Sequence, residues 1–284
     1  MRIDSATTSR LTSAAAAALL LVSTPVPAAH GQKRQLVEFE KMTWVEVKDA
    51  LAAGRTTMLI YTGGVEQRGP QNANGGHNQM AYATVKAIAE KLGNALFMPV
   101  LPFTPNNADP QLPGTIGITG DLLSEILERL TDQSVVNGFK NVILMGDHGG
   151  GQPKVYAEAA KKLNDKYSPQ AIHVYYCDQV YKAADDAFDH YLAQHGYPAS
   201  EHGGIPDTAE MMYLDKDHTW VRRNLVATAL GDPVLDGKTQ VGPNSPHNGI
   251  SGDARRSTPE LGKEVFDMKV DYAVRQIKEF LGSK

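Results

Sequence analysis

Thr57–Pro70 reads T-M-L-I-Y-T-G-G-V-E-Q-R-G-P, and the fold can be worked out from this stretch. Thr57–Tyr61 is an apolar, β-prone run, and the chain then opens into glycines that carry Glu66. Val142–Gly151, V-I-L-M-G-D-H-G-G-G, repeats the plan, with His148 among the glycines. An apolar run with no polar alternation suits a strand covered on both faces, as in a parallel sheet between helical layers. In open α/β sheets ligands bind where strands end, because loops from several strands converge there. Two such loops in one chain point to an active site.

Outward from these strands, helical and extended runs alternate. Thr43–Ala53 predicts a helix, with Thr43 and Glu46 spaced as a capping box. Met80–Leu92 carries apolar residues at helical spacing, and Ala95–Leu101 reads as a strand closed by Pro102. Asp121–Val136 is an amphipathic helix, with Leu122, Leu123, Ile126, Leu127 and Leu130 on one face. A strand at Asn141–Met145, a helix at Pro153–Asn164, a strand at Ile172–Cys177 and a helix to about Gln194 complete the alternation. The pattern implies crossovers and a mainly parallel sheet with helices on both faces. Gly231–Ser257, rich in Gly, Pro, Asn and Asp, reads as a long functional loop before a closing helix, Pro259–Leu281. With no internal repeat or low-complexity linker, residues 30–284 read as a single α/β domain.

The first residues resemble a signal peptide: Arg2 and Arg10, the apolar run Leu11–Val22, then small residues and Pro up to Ala29. Residues 1–29 are therefore expected to be cleaved and the protein exported, to the periplasm or beyond. The apolar run is shorter than the ~20 residues that span a bilayer, so no membrane association is expected after cleavage. Loss of residues 1–29 moves the net charge from −4 to −5 and leaves about 255 residues. No basic stripe remains to hold a phosphate backbone, which argues against nucleic acid and for a small-molecule substrate. The single cysteine, Cys177, excludes an intrachain disulfide.

The candidate chemistry gathers around Glu66. His77 follows eleven residues later in G-G-H-N, and His148 ends the second quoted strand. One carboxylate and two imidazoles make a known ligand set for catalytic zinc, and the bound ion activates water near neutral pH. Singly, such a glutamate is usually solvated and such a histidine usually structural; spacing alone does not show that the three meet. A second group lies in S-E-H-G-G-I-P-D-T-A-E, Ser200–Glu210. There His202 suits general acid–base work. Asp207 is placed either beside it or as a helix cap.

Five motifs, in order, resemble the creatininase family over nearly the whole chain beyond residue 29. Gly63–Pro70 is similar to its G-x-x-E-Q-H-G-P, and Leu112–Ile116 to F-P-G-T-I. Gly138–Gly151 is similar to its glycine-rich N-G-H-G-G-N segment, His202–Thr208 to H-A-G-x-x-E-T, and Gly249–Gly262 to its G-D-P segment. The resemblance implies a three-layer α/β/α sandwich and a metal-dependent amidohydrolase that opens the C–N bond of a small amide, cyclic amides included, with metal-activated water. It implies a homo-oligomer, often a hexamer. It also implies that Glu66, His77 and His148 hold the first metal, with His77 where the family has Asp. Arg68 replaces the histidine of a second metal, Ile205 stands where a further glutamate is common, and Asp147 replaces a glycine. A guanidinium stays protonated and cannot ligate. One divalent ion per chain is therefore expected, zinc first and manganese second. Arg68 would hold an anionic part of the substrate or an oxyanion, Gly149 and Gly150 would bind substrate, and His202 with Asp207 would move protons. The alternatives are lactone or other C–O hydrolysis, metal-free proton transfer, and a binding protein without turnover.

Overall fold

The computed structural model describes residues 35–282, so the expected signal peptide lies outside the described residues. Leu36–Lys284 forms one compact unit. Four strands make its central sheet: β1 (Thr57–Thr62), β2 (Ala95–Phe97), β3 (Asn141–Gly146) and β4 (His173–Tyr176). All are parallel, in the order β2-β1-β3-β4, with Thr57 opposite Asn141 and Thr62 opposite Gly146.

The alternation of side chains along β1 and β3 builds two cores. Leu59, Tyr61, Ile143 and Met145 face α2 (Gly76–Leu92) and α8 (Pro259–Phe280), where they meet Val85, Ile88, Val270 and Ile277. Met58, Ile60, Val142 and Leu144 face α3 (Gly120–Asn137) and α4 (Gln152–Tyr167), packing on Leu123, Leu127, Tyr156 and Leu163. This is the expected three-layer α/β/α arrangement. Covering both faces is what allows every residue of β1 to be buried.

Local signals act where the sequence places them. The Thr43–Glu46 capping box starts α1 (Trp44–Ala52). Thr119 caps α3, which ends at Gly138 in the left-handed region, φ 107°. The expected strand Ala95–Leu101 is shorter, ending at Phe97. Pro99 has no N–H for the ladder, although Leu101 rejoins β1 through its amide to Tyr61 O at 3.0 Å. The Gly231–Ser257 excursion contains a hairpin, β5 (Val234–Leu235) and β6 (Lys238–Thr239). Asp236 and Gly237, both at positive φ, form its two-residue turn.

The strand order sets the site. From β1 the chain crosses by α2 to β2 on one side, then by α3 to β3 on the other. The direction of winding changes between β1 and β3, where a crevice opens at the strand ends. Glu66 and His148 follow those two ends. Further wall comes from α5 (Ala184–Gln194), α6 (Ile205–Leu214), α8 and the hairpin excursion; a short α7 (Arg223–Val226) lies between α6 and that excursion.

Candidate metal centre

Close packing of loops brings the three expected ligands together. Gly63 allows the loop after β1 to lie on α2: a Cβ there would fall 2.9 Å from Asn78 Cα. Asn78 Oδ1 accepts from Gly64 N at 2.9 Å, and Gln152 Nε2 on α4 donates to Gly63 O at 3.0 Å. Asn78 thus fastens the first glycine loop to α2, and Gln152 ties it to the helix that follows the second. His77 stands in the first turn of α2, one residue into the helix, pointing to the same crevice as Glu66.

Glu66, His77 and His148 are all buried, and one ligating atom of each lies within 4.8 Å of the others. His77 Nε2 is 2.8 Å from Glu66 Oε1, and His148 Nε2 is 2.7 Å from Glu66 Oε2. Asn106 Nδ2 donates to Glu66 Oε2 at 2.8 Å. Burial resists ionisation of Glu66, but His148, His77 and Arg68 outweigh it and hold the carboxyl far below its usual range. An anionic oxygen pair flanked by two imidazoles fits a borderline divalent ion such as zinc or manganese. The donor set leaves room for water or substrate as a further ligand.

His202, about one-third exposed, stands over this group. Its Nε2–H donates to Gln67 O at 2.7 Å, which leaves the Nδ1 lone pair turned inward, 3.4 Å from Glu66 Oε1. Asp207 is not its hydrogen-bond partner. Oδ2 of Asp207 accepts from Gly203 N at 2.7 Å, steadying the start of α6, and its other oxygen is ion-paired with Arg68. Asp207 thus takes the structural role at the helix start in an altered form, tethering the turn before α6 and neutralising Arg68, while one edge lines the cavity with His202.

Arg68 departs from expectation. Its guanidinium is completely buried beneath the cavity floor and is not among the cavity's lining groups. Its charge is paired with Asp207, and its burial leaves no N–H open to an anionic substrate. Gly149 and Gly150, by contrast, do line the cavity. A Cβ on Gly150 would fall 2.6 Å from His148 Cε1, so glycine is required for the loop to fold back on that ring.

The cavity has a volume of about 390 Å³. Its outer wall carries groups the sequence reading passed over. Asp185 and Asp189, one turn apart on α5, face it with Glu201, and Lys269 of α8 reaches it from behind. Lys182, on the same segment, is paired with Asp186 instead. Burial and the neighbouring Glu201 raise the Asp189 carboxyl to about 6; burial and the other cavity carboxylates raise Asp185 well above its ordinary value. Lys269 Nζ is 2.8 Å from Asp147 Oδ1 and 2.7 Å from Glu210 Oε2, all three being buried.

The family model for creatininase, creatinine amidohydrolase, matches residues 40–277. Creatinine amidohydrolase of Pseudomonas putida is 23% identical over 251 residues, covering 84% of this chain and 95% of that protein. A solved structure named for creatininase with Mn superposes with a TM-score of 0.69 at 23% identity, covering 86% of this chain and 98% of the other. A creatininase mutant described as the Zn-Zn type gives 0.68 at 22%, with the same coverage. At these identities the structural likeness shows a shared fold.

Proposed function

Since the chain belongs to the creatininase family, we propose that it is a metal-dependent amidohydrolase using one divalent ion, zinc or manganese, held by Glu66, His77 and His148. The observation that carries the reading is the convergence of these three buried side chains at the ends of β1, α2 and β3. An ion bound there supplies a Lewis acid for the scissile carbonyl and lowers the pKa of water at the centre. His202 Nδ1, oriented by the Gln67 carbonyl, takes the proton of the attacking water. As the C–O bond forms and the C–N bond breaks, the same ring returns that proton to the leaving nitrogen. Asn106 keeps Glu66 in register, and the Gly149–Gly150 backbone admits the substrate close to His148.

The wall residues Asp189 and Glu201 bear on substrate class, while burial holds Asp185 toward its neutral form. Arg68 and Lys269 are already neutralised by Asp207, Asp147 and Glu210, so the open space is dominated by carboxylates. Such a field favours neutral or cationic amides over anionic ones. This replaces the anionic substrate suggested by Arg68 in the sequence. Export through residues 1–29 and assembly into a hexamer belong to the same proposal and rest on the signal-like sequence and the family resemblance. No helix among the described residues is long and apolar enough to cross a membrane.

Metal content and turnover, measured together, test the reading. Elemental analysis of protein purified from metal-replete medium is expected to give close to one zinc or manganese per chain. A panel of cyclic and open amides is expected to include a substrate that is a base or neutral. His77→Ala and His148→Ala should each lose both metal and turnover; retention of both in either variant would sink the proposal. Two ions per chain would contradict the one-metal assignment while leaving the amidohydrolase reading in place.

A further inference from the structure

His77 and Asp147, like Arg68, are positions near the centre where this chain departs from the family pattern, aspartate giving way to histidine and glycine to aspartate. The fold sets them against each other. His77 Nδ1 lies 3.7 Å from Asp147 Oδ2. Both atoms are buried and neither has a hydrogen-bond partner. Leaving a buried donor and acceptor unmade is costly, and here each supplies what the other lacks. Asp147 is in turn gripped through Oδ1 by Lys269.

We propose that Lys269 and Asp147 are positioning residues that fix His77 as a metal ligand. An imidazole that gives its Nε2 lone pair to a metal carries its proton on Nδ1, and that proton needs an acceptor behind the ring. Asp147 Oδ2 stands at that place, and the Lys269 ammonium prevents the carboxylate from swinging into the cavity to ligate for itself. The arrangement also returns the negative charge lost when a carboxylate ligand is exchanged for an imidazole, one layer further out. This inference rests on the metal reading of the site.

Zinc affinity of the full-length folded protein, stripped with a chelator and titrated against a chromophoric competitor, tests it. Asp147→Ala is expected to weaken zinc binding by about 10–100-fold, the usual cost of removing a carboxylate behind a ligating histidine. Glu210→Gln, which releases the opposite arm of Lys269, should change affinity by less than about 3-fold on the same grounds. Removing Lys269 alone strands two buried carboxylates, so that arm is tested in the Lys269→Met/Glu210→Gln double variant, which should also bind zinc more weakly than Glu210→Gln. In zinc-loaded wild type, nitrogen-15 NMR of the histidine rings should show His77 protonated at Nδ1, with that proton protected from exchange; in Asp147→Ala the protection should be lost. Zinc affinity in Asp147→Ala within about twofold of wild type would overturn the proposal, as would an equal loss in Glu210→Gln. If wild type binds neither zinc nor manganese, the metal reading fails, and this proposal fails with it.

Discussion

Replacing Arg68 with methionine separates a structural role from a substrate-binding one. The guanidinium is fully buried, and its charge is matched by Asp207, whose side chain keeps 18% of its surface exposed. Removing one partner of a buried pair costs about 3–5 kcal/mol, most of it from stranding the other charge. Because the edge of Asp207 can still reach water, the lower end, ~3 kcal/mol, is expected. For a domain of this size 1 kcal/mol moves Tm by about 2–4 °C, so Arg68→Met should melt ~6–12 °C lower by calorimetry. Arg68→Met/Asp207→Asn should recover much of that loss, since asparagine can still accept from Gly203 N and no charge is left behind. The coupling between the two sites should then exceed ~1 kcal/mol. A substrate clamp predicts the reverse: unchanged Tm and a raised KM. A single variant melting within about 2 °C of wild type would refute the assignment made from the structure.

Other expectations follow from the same geometry. Burial resists ionisation of Glu38, yet the Lys86 hydrogen bond and nearby backbone amides bring its carboxyl down from 4.5 to about 2. Its stabilisation is therefore complete above pH 4.5 and drains away as pH falls toward 2; Glu38→Gln should cost ~2 kcal/mol at pH 7 and flatten that limb of the urea stability–pH curve. Asp189, raised to about 6, becomes charged as pH rises through that value. KM for a cationic amide should consequently fall about fivefold between pH 5 and 7, KM for a neutral one should not, and Asp189→Asn should erase the difference. Cys177 is inaccessible, and burial pushes its thiol up to about 12. Native protein should resist a thiol reagent that labels it fully in guanidinium; comparable rates in the two conditions would contradict that burial.

Much of this architecture was open to reading from the chain. β1 and β3 are buried on both faces, so their apolar runs are unbroken, and glycines mark where they end. α1 and α3 carry caps whose chemistry is local. The trio of Glu66, His77 and His148 was legible through the resemblance and through ligand type, but their meeting depends on strand order, which no local signal encodes. The role of Arg68 was misread for a related reason. Sequence shows an arginine in a glycine loop, whereas its direction depends on Asp207, which arrives from another element far along the chain. Lys269 had a signal that went unused. It lies four residues from both Val265 and Ala273 on the buried face of α8, where a cation must have partners. Asp185, Asp189 and Glu201 were not singled out, since nothing in their local sequence announces that they border a cavity.

The cavity is walled from two sources of different character. Its reactive floor hangs from the ends of parallel strands fixed in register, whereas Gly237, Thr239 and Ser251 reach it from the hairpin excursion. That division makes the scaffold modular. Residues 234–239, the hairpin itself, could be randomised, or exchanged for the corresponding loop of a relative, whereas Ile250 is buried and Ser251 N bonds the His202 carbonyl at 2.8 Å. Laboratory evolution confined to that hairpin would search for new substrates while the machinery that cleaves them is inherited unchanged.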